Sequence, residues 1–355
     1  MLAATANQVG HTLPRNPSNA SARDWKRIVE PVEPFLAQVA ACLSAQVATF
    51  EPEIARYAQY ALTNQGKQLR PALVALSGGA AGKVTEQHVV VAAIIEMVHL
   101  ATLVHDDIMD GAEMRRRRPT LAANWGNEVS VLLGDCLFAH ALQMAAGFPT
   151  TEVCRAVSAA TKRVCTGEIL QTHRRRKFDL TKEDYFQMLE MKTAELFALS
   201  CDLGAWLGGA NEEDRARLRS YGIALGTAYQ IYDDCVDLFG SEAEVGKSLG
   251  TDMAKGKLTL PVLLVLEDAS DTERGQLKGM VAEWNAESLP DLLALLQRHQ
   301  ALDKSLVYLQ NYLGVAKQAL LTRAASPGQS ALLNLAELLA AQSAALGNVS
   351  VPRVA

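Results

Sequence analysis

Apolar residues recur at helical spacing along nearly the whole chain, and no stretch alternates strongly enough to read as a strand. Over 34–48, Phe35, Val39, Cys42, Leu43 and Val47 share one face, and the pattern resumes over 54–62 after Pro52, which predicts a helical hairpin. Gly66-Lys67-Gln68-Leu69-Arg70-Pro71 interrupts it: glycine supplies a turn and proline suits the first turn of the next helix. That helix is predicted over 71–77, ended by Gly78, Gly79 and Gly82. The segment 89–109 is almost continuously apolar and predicts a long helix buried all round. Further helices are predicted over 127–146, 151–171, 181–207 and 212–239, with Thr181 and Asp184 as an N-cap pair and Thr151-Glu152 as another start. A polar, glycine-rich loop over 241–257 follows, then Leu258-Thr259-Leu260-Pro261 leads into more helix. The stretch 289–346 stays helical around a break at Ala325-Ser326-Pro327-Gly328. The pattern predicts an all-α domain over 24–347 between an N-terminal tail, 1–23, without periodicity and a short C-terminal tail, 348–355.

Composition supports this class. Hydrophobic residues are 49% of the 355 positions but aromatics only 6%, so the core must be built from small and aliphatic side chains, which suits closely packed helices. A net charge of −5 argues against a nucleic-acid binder. Two basic runs stand out, 115–118 and 174–177. Only the first adjoins an acidic motif, and the second reads as a solvated face. Cys42, Cys136, Cys154, Cys165, Cys201 and Cys235 show no zinc-type spacing and read as small core residues, which points to a reducing, cytoplasmic setting. No run of eighteen apolar residues is found, so no membrane span is expected.

The chemistry is concentrated in two acidic clusters. Asp106, Asp107 and Asp110 close the helix over 89–109, and Asp233, Asp234 and Asp237 lie near the end of the helix over 212–239. In each, the first and last aspartates stand one turn apart on one face, where like charges destabilise a helix by a few tenths of a kcal/mol per pair. Oxygen ligands without His or Cys favour a hard cation, and Mg²⁺ takes one or two carboxylates and completes its shell with water and phosphate. Lys67 and Arg70 at a predicted helix start offer an anion site. His99 lies two turns before Asp106 on the same face. The two acidic clusters also hint at a weak internal pseudo-repeat. Carboxylates, cations and an apolar interior together suggest a substrate with a diphosphate head and a hydrocarbon tail, whose ionisation leaves an allylic carbocation that needs a dry pocket.

Taken jointly and in order, these motifs resemble the all-trans isoprenyl diphosphate synthases, the polyprenyl synthetase family, from about 35 to 339. They are Gly66-Lys67-x-x-Arg70-Pro71, His99, the first Asp-rich motif with Arg115-Arg116 after it, Gly167-Glu168-x-x-Gln171, Lys192-Thr193, Tyr229-Gln230 before the second Asp-rich motif, Lys247 and Lys257. The resemblance implies a single helical bundle around a central cavity, usually dimeric, and a condensation of isopentenyl diphosphate with an allylic diphosphate. It implies that Asp106 and Asp110 bind Mg²⁺ and the allylic diphosphate with Asp107 in support, and that Asp233 holds a further Mg²⁺ assisted by Asp234 and Asp237. Arg115, Lys192, Lys247 and Lys257 would contact the allylic diphosphate. Lys67, Arg70, His99 and Arg116 would hold isopentenyl diphosphate, while Thr193 and Gln230 would lie along the reacting carbons.

Two positions depart from the family pattern: Gln65 and Arg117 stand where glycine is common, and Arg117 puts the backbone shape of its loop in question. For product length, the residues four and five before Asp106, Thr102 and Ala101, are expected one turn below the metal site, with Val98 and Met97 a turn further down. None is aromatic, so the tail can pass deeper, and a product of about six to ten isoprene units, of the kind used as a quinone side chain, is expected from that reach. His99 to His105 also resembles long-chain bacterial members, of octaprenyl type, and Phe138 and Met144 are candidates for the cavity floor. The alternatives are a short-chain synthase, a terpene cyclase, which has no need of a second diphosphate site, and a non-catalytic subunit of a heteromeric synthase. A homodimer without a membrane span is expected, with transient membrane contact left open for release of the greasy product.

Overall fold

The structure is a computed structural model and describes residues 25–63, 66–242, 248–321 and 326–349. The tail over 1–23, Gln65 and Lys247 lie outside the described residues. The chain is helical nearly throughout. A hairpin of α1 (Glu33–Val47) and α2 (Pro52–Leu62) leads to α3 (Leu69–Ala81) and α4 (Glu86–Met109). After a short β-hairpin, β1 (Met114–Arg115) and β2 (Arg118–Pro119), come α5 (Leu121–Ala146), α6 (Glu152–His173) and α7 (Lys182–Leu189). A π-helical turn, Glu190–Ala194, joins α7 to α8 (Glu195–Leu207), and α9 (Glu212–Phe239) follows. The remainder is α10 (Thr251–Ala254), α11 (Leu260–Asp268), α12 (Asp271–Ala282), α13 (Leu289–Arg298), α14 (Ala301–Leu320) and α15 (Pro327–Val349).

Two apolar cores share a wall made of α3 and α8. Leu73, Leu76, Phe197 and Cys201 face the core that includes α9, α11 and α14, while Ala72, Val74, Leu196 and Leu199 face the core of α1, α4, α5 and α6. Every residue of α8 from Glu195 to Ala205 is buried. The helix predicted to be buried all round was α4, and it is so over 91–98. From His99 onward one face opens instead onto a cavity, with His99, Thr102, Leu103 and His105 half-buried.

Helix α3 runs straight through Gly78 and Gly79, which were expected to end it. A Cβ at Gly78 would lie 2.5 Å from His88 Nε2 and 3.3 Å from the Gly204 carbonyl oxygen. Glycine here lets α3, α4 and α8 approach closely, which outweighs its poor helix propensity of about 1 kcal/mol. His88 itself is fully buried: its Nδ1 accepts the Thr85 N–H at 3.0 Å, capping α4, and its Nε2 lies 3.1 Å from the Gly204 carbonyl. Thr181 and Asp184 form the predicted capping box at the start of α7.

The β-hairpin corrects the expectation of no strand. Met114 pairs with Pro119 and Arg115 with Arg118, a ladder too short for alternation to register. Its two central residues, Arg116 and Arg117, have φ of 50° and 63°, the left-handed pair that a tight I′ hairpin demands. Arg117 therefore keeps the backbone shape that glycine would supply, at a conformational cost. Of the six cysteines only Cys201 and Cys235 are buried; all six are free, and Cys165 is exposed, so the reading of all six as core residues fails. The segment Trp25–Val47, α4 and α5 are long and apolar enough to cross a membrane by length and composition, because a few polar interruptions do not disqualify a span. In α4, 61% of that apolar window is buried within the bundle, so its apolarity serves the core.

Candidate active site

A cavity of about 900 Å³ runs between the C-terminal halves of α4 and α9. The Gly66–Arg70 loop, the β-hairpin, α5, α6, the π turn and the loop around α10 complete its walls. Both clusters face it from opposite sides: Asp106 and Asp110 from α4, Asp233 and Asp234 from α9.

At the end of α4 the three aspartates have different surroundings. Burial pushes the Asp106 carboxyl up to about 6 against the pull of Lys192, whose Nζ is 3.8 Å away. Asp107 is turned away from the cavity and accepts Arg115 Nε and a terminal guanidinium nitrogen, both at 2.8 Å on Oδ1. This paired contact fixes the hairpin arginine beside the site. Asp110 is also pushed up by burial, yet Lys257 and Lys255 outweigh that and hold it down at about 2.

Lys192 and Thr193 stand on the π turn between α7 and α8, a distortion that re-aims side chains and recurs at functional sites. Lys192 pairs with Glu168 and donates to Gln171 Oε1 at 2.9 Å. A Cβ at Gly167 would lie 2.8 Å from the Lys192 backbone nitrogen, so glycine is what admits this turn against α6. Thr193 donates to Gln230 Oε1 at 2.9 Å, and Gln230 Nε2 donates to Asp234 Oδ1 at 2.8 Å.

The second cluster is not uniform either. Asp233 lines the cavity. Asp234 is 5% exposed, and burial raises its carboxyl far above the usual range, with Asp252 adding to the effect. Asp237, predicted to assist with metal, is 1% exposed and does not reach the cavity wall. Its oxygens accept the Thr251 hydroxyl and the Asp252 N–H, so the start of α10 has claimed them.

Lys67, Arg70, His99 and Arg116 also line the cavity, with buried Glu96 beside Arg70 and Arg116. The Arg70 guanidinium lies 5.2 Å from the Phe197 ring centroid and its Nε is buried with no protein partner. Burial, then Arg70, Arg115 and Arg116, lower the His99 pKa well below the usual value and keep the imidazole neutral.

Among the chain-length residues, Thr102 and Phe138 line the cavity, but Ala101 and Val98 do not. Both are packed in the core, 0% and 1% exposed. A residue five before Asp106 is one turn below it but roughly 140° around the helix, so height alone misplaces it. Met144 likewise packs against the core instead of forming a floor. Missed by sequence reading were Tyr185, whose hydroxyl donates to Asp234, and the cations Arg175 and Lys255, which reach Asp110. The motif Glu168-x-x-Gln171 was visible, without its role of holding Lys192.

Among the described residues no three carboxylate, His or Cys side chains converge into a ready-made ion cage. Carboxylates split between two walls, all hard oxygen donors, fit an ion that keeps waters and takes phosphate oxygens as further ligands.

The sequence model of the polyprenyl synthetase family matches residues 51–296. A short chain isoprenyl diphosphate synthase from Methanothermobacter thermautotrophicus is 32% identical, over 82% of this chain and 92% of its own. An octaprenyl diphosphate synthase from Escherichia coli is 33% identical, over 74% of this chain and 82% of its own. A crystal structure of a polyprenyl synthase from Caulobacter crescentus CB15, complexed with calcium and isoprenyl diphosphate, superposes with a TM-score of 0.84 at 30% identity, covering 89% of this chain and 97% of that one. With the acidic clusters facing each other across a helical cavity and the same fold carried by relatives over most of their length, the chain belongs to the polyprenyl synthetase family.

Proposed function

We propose that this protein is a Mg²⁺-dependent trans-prenyltransferase that lengthens an allylic diphosphate with isopentenyl diphosphate to a medium- or long-chain polyprenyl diphosphate. The observation that carries the reading is the pairing of Asp106 and Asp110 on one wall with Asp233 on the other, above a cavity with apolar walls. Mg²⁺ held by these carboxylates would offset charge on the leaving diphosphate. Lys192, Lys257 and Arg115 supply further positive charge on that side. Lys67, Arg70 and Arg116, with neutral His99 beside them, would hold isopentenyl diphosphate without metal. Phe197, Leu196 and Met188 line the space between and exclude water from the carbocation. The hydroxyl of Thr193 and the amide oxygen of Gln230, hydrogen-bonded to each other, provide fixed dipoles along the reacting carbons.

The longer product is supported by the α4 positions one turn before Asp106, where the cavity meets Thr102 and Leu103, neither of them aromatic, and by likeness to the octaprenyl enzyme. Homodimeric assembly belongs to the same proposal, with Leu132 on α5, exposed and outside the cavity lining, as an apolar residue for the contact. The cytoplasmic setting rests on six free cysteines. Incubating the purified chain with Mg²⁺, labelled isopentenyl diphosphate and each allylic starter, then sizing the products, tests the activity. Products of fifteen or twenty carbons would restore the short-chain reading. No turnover with any starter would overturn the proposal, and activity regained only with a second subunit would make this a heteromeric component.

A further inference from the structure

The second basic run, 174–177, reads from sequence as a solvated face, and the structure separates its members. Arg174 pairs with Asp184 at 3.3 Å and Asp179 at 3.7 Å, so it fastens the loop to α7. Arg176 takes a left-handed turn, φ 57°, and its N–H donates to the Gly256 carbonyl at 2.7 Å. That bond ties the α6–α7 loop to the loop after α10. Arg175 and Lys255, one from each loop, are thereby aimed at a single carboxylate. An Arg175 guanidinium nitrogen is 2.8 Å from Asp110 Oδ1, and Lys255 Nζ is 3.0 Å from Asp110 Oδ2. Lys257 Nζ meets the same Oδ2 at 3.0 Å.

Three cations converge on one carboxylate, more than it can neutralise alone, with Asp106 acting on Lys257 and Asp107 on Lys255 from the same helix end. The Arg175 Nε is in addition buried without a protein partner. This cluster does not read as a finished salt bridge. A carboxylate that ligates a divalent ion has less charge to offer three cations, and the ion repels them. An anion that arrives with the ion then restores the balance of charge around them. Diphosphate is such an anion, and a planar guanidinium suits its oxygens.

We infer that Arg175 and Lys255 are two further ligands of the leaving diphosphate, held by Asp110 until the metal and the diphosphate arrive. The inference rests on the proposed function and adds two cations to the set carried by the family motifs. In this chain Lys257 keeps its place on the metal side, and Arg175 and Lys255 extend the anion site outward to the rim.

The test uses the full chain and inorganic diphosphate as the probe. Calorimetric titration with Mg²⁺ present is run on the unmodified protein, Arg175→Met, Lys255→Met, the double variant, and Lys177→Met, an exposed charge in the same run that serves as control. Arg175→Lys keeps the charge without the planar fork and is the second variant should Arg175→Met not fold. Each neutral single variant is expected to bind diphosphate about ten- to hundredfold more weakly, in line with a charge-assisted hydrogen bond, with Lys177→Met unchanged. In the same variants the KM for the allylic diphosphate is expected to rise while that for isopentenyl diphosphate stays within about twofold. Unchanged diphosphate binding in folded single variants overturns the inference, as does an equal loss for both substrates. If the unmodified protein neither binds diphosphate nor turns over, the proposed function itself falls.

Discussion

The Tyr185 hydroxyl donates to Asp234 Oδ2 at 2.7 Å, closing a row that begins on the π turn: Thr193 to Gln230, Gln230 to Asp234. Tyr185 is 3% exposed and Asp234 5%, so the bond is made between two largely buried groups. In Tyr185→Phe one oxygen of Asp234 loses its donor while Gln230 must serve alone. Leaving a buried acceptor unsatisfied costs about 1–3 kcal/mol, and the expected loss of stability lies in that range. Turnover should fall while the KM for isopentenyl diphosphate holds, because the row lies beside the metal wall. Denaturant unfolding and steady-state kinetics on the variant check both; an unmoved unfolding midpoint would show that the bond contributes nothing.

Gly167 is where α6 gives way to the π turn. Adding a methyl group in Gly167→Ala brings a carbon to 2.8 Å from the Lys192 backbone nitrogen and 2.9 Å from Met191 Cβ. Backbone cannot step aside as a flexible side chain could, so overpacking of about 1–3 kcal/mol is expected. Lys192 would shift with the turn and weaken its hold on Asp106 and Glu168. A rise in the allylic KM alongside the lower unfolding midpoint is the expected pair of results, and an unchanged allylic KM would separate Lys192 placement from this glycine.

How far the site could be read from sequence depended on how local each signal was. Asp106, Asp110 and Asp233 were legible because a one-turn spacing in an apolar helix is a statement about one face. The same spacing misled for Asp237, whose oxygens are taken by Thr251 and Asp252 from a separate helix. Arg175 and Lys255 lie 80 positions apart, and the hydrogen bond between Arg176 and Gly256 helps bring their loops together. Gly78 looked like a helix stop because the neighbours that explain it, His88 and Gly204, come from other helices. The hairpin, with two residues in each strand, left no period to detect. Long helices, by contrast, repeat their pattern often enough to be read, and their predicted ends missed most at Gly126, φ 87°, where the helix expected from 127 begins at Leu121, and at Gly78, where α3 runs on to Ala81.

His88 gives the fold a pH dependence of predictable sign. Burial lowers its pKa from the usual 6.5, with its bonds to Gly204 and Thr85 opposing. A depressed His is neutral in the folded protein, so protonation favours the unfolded chain. Its contribution is fully present above pH 6.5 and is lost as pH falls through the folded value. His88→Gln removes the titrating group. Across about pH 5 to 7 the unfolding midpoint of the unmodified protein should fall more steeply with acid than that of the variant. Parallel curves would mean that another group sets the acid limit.

Product length is decided by which face of α4 a new ring meets. Thr102 stands at the cavity wall, with its hydroxyl donating to the His99 carbonyl at 2.7 Å, whereas Ala101 is enclosed by the core. Thr102→Phe therefore sends a ring into open space below Asp106, where it blocks the growing tail. Chromatography of the products should show shorter chains with stability nearly unchanged. Ala101→Tyr must instead push apart packed neighbours, at a cost of about 1–3 kcal/mol for overpacking, so its first effect is a lower unfolding midpoint. If Thr102→Phe makes the same product as the unmodified enzyme, the tail does not run along this wall. The route would then pass on the Phe138 side, where the ring of His105 lies 5.7 Å from that of Phe138.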